Sequence, residues 1–244
     1  MIKVSKKILN LMGFEITRIK RVKHKSDQIA FLHIGKNAGT QVLHLARQLK
    51  YHGIYIYKYG HGVKLSDLPR DARYFFSIRK PDKRFVSGFY SRKRKGQPKT
   101  YNEWSPHEKI AFEAFEHAND LAENLFNDDM IGNQARQAIK SISHTGMQQY
   151  DWFQRSAFLD VQSPITIIRQ EHFRQDMQRF MDLVNVEIDI ETLFTDNKMA
   201  AHKNDYDTVP ALSDASIANL ERWYAQDYWF YKMCEAWLEE RASQ

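Results

Sequence analysis

The chain has 244 residues, of which 43% are hydrophobic, which is enough for one sizeable core and near the upper end for a single domain. Its formal net charge of +6 favours an anionic ligand, but would equally suit nucleic acid or a membrane surface. Because Cys234 is the only cysteine, an intrachain disulfide and a cysteine-based metal site are excluded. Without a clear export signal or a run of roughly 18 apolar residues, we expect a cytoplasmic protein with no transmembrane segment.

The first 26 residues form a basic amphipathic segment, in which lysines and arginines alternate with apolar side chains such as Ile8, Leu11 and Phe14. The pattern predicts a helix that packs on its own domain. Peripheral contact of residues 3–25 with an anionic membrane surface is the alternative.

The rest of the chain reads as strands separated by helices. Strands are predicted at residues 28–34, 53–59, 72–78 and 165–168. Helices are predicted at residues 41–50, 81–94, 106–117, 129–141 and 171–184. This alternation predicts an α/β fold in three layers, with a central, mainly parallel sheet flanked by helices. We expect one domain over residues 1–244, with a mainly helical insertion at residues 91–160.

Two further segments are marked by their composition. The basic stretch 91–101 contains turn residues and few apolar ones, which predicts an exposed loop after a helix. The C-terminal part, residues 212–238, begins with a Ser213–Asp214 cap signal and carries an aromatic stripe that is typical of core packing.

A candidate anion site follows the first predicted strand. The segment FLHIGKNAGTQVLHL, residues 31–45, reads as a strand, a short turn and a helix. Backbone N–H groups in such a turn, together with the helix N-terminus, attract a phosphate or sulfate, and Lys36 adds a full charge. A turn with a solvated lysine is the alternative. Lys36 precedes Gly39, whereas a Walker A loop has its lysine directly after the last glycine, so an ATP or GTP site is disfavoured.

A second candidate anion site follows the third predicted strand. Arg79 would leave the carboxyl end of that strand, and Pro81 suits the first turn of the next helix. Ser87 lies about two helical turns further on, where its hydroxyl could share one anion with Arg79. Two such sites at neighbouring strand ends suit a nucleotide that is phosphorylated at two separate places.

These residues resemble two motifs of the sulfotransferases that use 3′-phosphoadenosine 5′-phosphosulfate (PAPS). The resemblance is to the branch of heparan and chondroitin O-sulfotransferases and their bacterial relatives. HIGKNAGT, residues 33–40, is similar to the family's 5′-phosphosulfate loop, and RKPDKRFVSGFYSR, residues 79–92, to its 3′-phosphate motif. Gly35, Asn37, Ala38 and Lys80 depart from the family pattern. Softer matches extend over residues 133–139, 167–180 and 202–204.

The resemblance implies a P-loop-like fold and a role for individual residues. His61, between Gly60 and Gly62 after the second predicted strand, would be the general base, and Lys36 would face the bridging oxygen. PAPS would be the co-substrate, and no metal is required. The residues implied in binding it are Gly35, Lys36, Asn37, Ala38, Gly39, Thr40, Arg79, Ser87 and Lys203.

The implied acceptor is a hydroxyl on a carbohydrate or glycan precursor, next to the insertion at residues 91–160. Basic side chains that could contact an acidic glycan include Arg94, Arg136 and Lys140. Other acceptors stay open: a lipid-linked sugar, a small metabolite or a peptide tyrosine. Two other functions are weighed, an ATP-dependent kinase and a non-enzymatic protein that binds polyanions or nucleic acid. Nucleic acid is not the expected partner, since the basic residues cluster around the anion motifs rather than forming one stripe.

Overall fold

A computed structural model of the protein describes residues 22–98, 100–153, 159, 162–194, 206 and 208–243. Of the N-terminal basic segment, only residues 22–26 fall within these ranges, so the helix predicted there and its membrane contact lie outside the described residues. The same holds for Lys203 and the motif around it.

Four parallel strands form the central sheet. The strands are β1 (Ile29–Leu32), β2 (Ile56–Lys58), β3 (Tyr74–Ile78) and β4 (Ile167–Arg169). Their order across the sheet is β2-β1-β3-β4, and all three pairings are parallel. The α/β fold with a central parallel sheet is therefore confirmed. β1, β2 and β3 are shorter than their predicted segments, and β4 begins two residues later and ends one residue later than predicted.

Eight α-helices are described. They are α1 (Gly39–Leu49), α2 (Pro81–Lys93), α3 (Pro106–Ala114), α4 (Ala118–Glu123), α5 (Met130–Ser141), α6 (Phe173–Leu183), α7 (Asp214–Trp223) and α8 (Ala225–Ala242). Ser213 caps α7 as its cap signal predicts, by accepting a hydrogen bond from the Ser216 amide. The short helix α4 was not predicted, and Tyr224 separates α7 from α8.

The sheet is buried on both faces. Alternate residues of β1 and β3 point to opposite sides: Phe31 and Phe75 pack toward α1 and α6, whereas Leu32 and Phe76 pack toward α8. This arrangement gives the three expected layers, with helices on each side of the strands. Among the described residues, no helix has both the length and the apolar character that crossing a membrane requires.

A second core lies beside the sheet, between helices α2, α3, α4, α5 and α7. The start of the basic stretch lies in α2, so the prediction of an exposed loop over residues 91–101 is wrong for its first three residues. These residues complete α2, and Arg92 is only 4% exposed because it pairs with Glu108 of α3.

Candidate functional site

The loop between β1 and α1 has the backbone shape of an anion cradle. Lys36 and Ala38 both adopt left-handed backbone conformations, with φ of 71° and 57°, and Asn37 lies between them. Alternating backbone handedness of this kind turns successive N–H groups toward one point. The first turn of α1 contains no acidic residue, so its unpaired amides keep their attraction for an anion.

The side chain of Asn37 points away from the cradle and into the protein. Its amide nitrogen donates to the carbonyl of Ser77, at 2.8 Å, and to Oε1 of Gln149, at 2.6 Å. The Ser77 hydroxyl donates in turn to the carbonyl of Asn37. Asn37 is fully buried, and its side chain ties the loop to β3. Its Oδ1 is buried without a hydrogen-bond partner among the described residues.

Gln149 joins this first loop to the second candidate anion site. Its Oε1 also accepts from the Arg79 amide, at 3.0 Å, and its Nε2 donates to the Arg79 carbonyl, at 2.9 Å. Asp227 of α8 holds Gln149 in place, because its carboxylate accepts a hydrogen bond from the backbone N–H of Gln149 at 2.8 Å. One buried glutamine therefore fixes the ends of β1 and β3 relative to each other.

Two arginines lie against the first loop. Arg79 Nη1 donates to the Lys36 carbonyl at 3.5 Å, and Arg84 Nε donates to the Gly35 carbonyl at 3.1 Å. Burial lowers the pKa of both guanidinium groups, which stay charged because their normal pKa is so high. Within the described part of the chain, Nε of Arg79 and Nη2 of Arg84 are buried without a hydrogen-bond partner. Buried unpaired cationic donors favour an anionic ligand at this place.

His61 lies beside the same loop, after β2. Its Nδ1 donates to the carbonyl of His33 at 3.2 Å, and since a carbonyl can only accept, Nδ1 carries the proton. In the neutral ring, Nε2 then keeps its lone pair and can act as a base. Partial burial lowers the pKa of His61, and the nearby charges of Lys58, Lys36 and Arg84 lower it further, outweighing the bond to the His33 carbonyl.

His33 fixes both this histidine and the start of α1. Its ring lies 4.1 Å from that of His61, between ring centroids, and its Nδ1 is 3.2 Å from Nζ of Lys58, which donates to it. A Cβ atom at Gly39 would come within 2.0 Å of Nε2 of His33. A side chain at position 39, where α1 begins, would therefore have to displace the His33 ring.

A third histidine, His144, was not identified from the sequence. It follows α5 in a left-handed conformation, with φ of 76°, and its ring lies 5.8 Å from that of His61. Burial lowers the pKa of His144 to about 3, with contributions from Lys36, His61, Arg84 and Arg92. The sequence around His144 contains no motif that marks it, and its place in the site depends on how α5 packs. Sequence reasoning could therefore not find it.

The other predicted site residues are less closely tied to the two loops. Ser87 is buried in α2, but no hydrogen bond joins it to Arg79 within the described residues. Thr40 is exposed in the first turn of α1.

The three basic residues proposed to contact an acidic acceptor have different surroundings. The Arg136 guanidinium donates to the carbonyls of Leu125 and Asn127, so it holds the end of α4 in place. The Lys140 ammonium lies 5.7 Å from the ring centre of Trp223, and Arg94 is exposed. In the described part of the chain, no hydrogen bond joins Arg136 or Lys140 to the anion loops.

Known proteins give no family for this chain, since no family model, no curated protein and no solved structure matches it. Over the described residues, no group of three or more His, Cys, Asp and Glu side chains could hold a metal ion. The site is therefore interpreted from its own geometry.

Proposed function

We propose that the protein is a sulfotransferase, which moves a sulfuryl group from PAPS to an acceptor hydroxyl. The observation that carries the proposal is the joining of two anion loops at neighbouring strand ends by Asn37 and Gln149, with an available imidazole nitrogen of His61 beside them. This arrangement suits a nucleotide with two separate phosphate groups and a hydroxyl that must lose a proton. The proposal includes a carbohydrate or glycan precursor as the acceptor and a cytoplasmic location.

The two loops divide the binding of the nucleotide between them. The backbone of residues 35–40, the N-terminus of α1 and Lys36 would hold the 5′-phosphosulfate. Arg79 and Ser87 would hold the 3′-phosphate. The buried, unpaired Nε of Arg79 supports this fit, because a phosphate oxygen would supply the partner that it lacks among the described residues.

The chemistry needs one base and one electrophile. Nε2 of His61 takes the proton of the acceptor hydroxyl while the new S–O bond forms and the bond between sulfur and the bridging oxygen breaks. The Lys36 ammonium and the loop amides stabilise the charge that develops on the leaving phosphate oxygen, which ends as 3′,5′-ADP. The lowered pKa of His61 keeps its ring neutral, as a base must be.

Nucleotide binding and turnover can be tested separately with two variants. His61→Ala should keep the affinity for 3′,5′-ADP but lose about 10²–10⁴-fold in turnover, because only the base is removed. Arg79→Ala should mainly weaken the binding of 3′,5′-ADP. Calorimetry measures the affinity, and transfer of radiolabelled sulfate measures turnover. The exposed His52, mutated to alanine, is the matched control and should behave as wild type.

Thermal stability and nucleic-acid binding separate the competing functions. A sulfotransferase should be stabilised against heat by 3′,5′-ADP without magnesium, whereas a kinase should respond to ATP with magnesium. Salt-sensitive binding of DNA or RNA with no response to 3′,5′-ADP would instead indicate a polyanion-binding protein. Wild-type turnover in His61→Ala would disprove the assignment of the base.

A further inference from the structure

His144 is the third histidine at the candidate site, and the mechanism above does not use it. A Cβ atom at Gly35 would lie 2.9 Å from Nδ1 of His144 and 3.6 Å from Cε1 of His61. The two rings therefore border the same small space above Gly35, and they meet edge to face, at an angle of 70°. A side chain at position 35 would therefore press against the His144 ring.

Both ring nitrogens of His144 can bind a ligand. Within the described residues, neither nitrogen makes a hydrogen bond, and the ring packs against that of His61. Because burial keeps the ring neutral, one nitrogen carries a proton and the other a lone pair. His144 can therefore bind a hydroxyl group either as a donor or as an acceptor.

The backbone holds His144 firmly in this place. Its neighbour Thr145 is fully buried, and the Thr145 hydroxyl is within 2.7 Å of the Ile139 carbonyl and 2.9 Å of the Ile142 carbonyl. The Tyr224 hydroxyl donates to the Thr145 carbonyl at 2.7 Å. These contacts hold the backbone of His144 in its left-handed conformation, which is uncommon for a residue other than glycine.

We propose that His144 binds a second hydroxyl of the acceptor, adjacent to the hydroxyl from which His61 takes the proton. The site would therefore select acceptors that carry vicinal hydroxyl groups, and this inference rests on the proposed sulfotransferase function. A hydrogen bond spans about 2.8 Å, so rings with centres 5.8 Å apart can reach two neighbouring oxygens of one molecule.

The test compares two simple acceptors, trans-cyclohexane-1,2-diol and cyclohexanol, with labelled PAPS as the donor. In the wild type, kcat/KM divided by the number of hydroxyl groups should be about fivefold higher for the diol than for cyclohexanol, because the diol makes one added hydrogen bond. His144→Phe keeps the ring shape but has no nitrogen, so the ratio of the two kcat/KM values should fall to about one, whatever the change in absolute rate.

Two further variants keep the result interpretable. His144→Gly suits the left-handed backbone, so it should fold and should also lose the preference. His52→Phe changes an exposed histidine and should keep the preference for the diol. A preference retained in both His144 variants, or absent from the wild type, would overturn the inference. If the protein binds 3′,5′-ADP but sulfates neither probe, the inference about His144 is overturned and the proposed function is not. If the protein does not bind 3′,5′-ADP, the proposed function itself is overturned.

Discussion

At the scale of single residues, His61 is defined by what surrounds it. The His33 carbonyl fixes its tautomer, and the positive charges of Lys36, Lys58 and Arg84 oppose a further positive charge on its ring. Burial acts in the same direction and is the largest effect. A base with a lowered pKa stays neutral further into the acidic range than an ordinary histidine does.

This gives a prediction for the pH dependence of the reaction. Because the base must be neutral, kcat/KM should fall as the pH drops through the pKa of His61, and the midpoint should lie below the ordinary value of 6.5. Lys58→Met removes one of the nearby charges and should move the midpoint upward. The exposed Lys50, mutated to methionine, is the control and should leave it unchanged. A wild-type midpoint above 6.5 would contradict the assignment.

At the scale of elements, the ends of β1 and β3 are held together by a small buried network. Asn37 and Gln149 are both fully buried, and each makes hydrogen bonds to a partner from another element. Such networks stabilise one geometry strongly, because each member that loses its partner is left buried and unsatisfied. We therefore expect Asn37 to act on the proposed nucleotide through the position of the loop.

Removal of the Asn37 side chain should loosen that loop. Asn37→Ala should lower the free energy of unfolding by about 1–3 kcal/mol, since it leaves the Ser77 carbonyl and part of Gln149 unsatisfied. The affinity for 3′,5′-ADP should fall as well. Urea unfolding and calorimetry measure the two effects, with the exposed Asn102→Ala as the control. Full stability with weaker binding would instead mean that the Asn37 side chain contacts the nucleotide directly.

Sequence reasoning reached those parts of the site that lie close together along the chain. The strand, turn and helix around Lys36 and the strand end at Arg79 have local signals, namely apolar runs followed by glycine or proline. Arg84 lies within the motif that was recognised, but it was not assigned a role. Gln149 could not be found in this way, because its bond to Asn37 spans 112 residues and depends on how α8 and the sheet pack.

At the scale of the whole molecule, the helical core and the site are connected by a buried ion pair. Arg92 at the end of α2 and Glu108 in α3 are each 4% exposed, and two of their hydrogen bonds are 2.7 and 2.8 Å long. Glu108 also accepts from the amide of Ser143, next to His144, at 3.0 Å. Burial alone would raise the pKa of Glu108, but the bonds from Arg92 and from backbone amides outweigh it and lower the pKa to about 2.

Loss of one member of this pair should destabilise the entire domain. Arg92→Leu leaves the Glu108 carboxylate buried without its partner, which typically costs about 3–5 kcal/mol, measurable by urea unfolding at neutral pH. The exposed pair Lys109–Glu113 is the control, and its loss in Lys109→Leu should cost about 0.5 kcal/mol or less.

The effect of Arg92→Leu should also depend on pH. Because the pKa of Glu108 is lowered in the folded state, the stability that it supplies is complete above pH 4.5 and is lost as the pH falls toward 2. The difference between wild type and Arg92→Leu should therefore shrink in acid, and a difference independent of pH would show that Arg92 acts through packing alone.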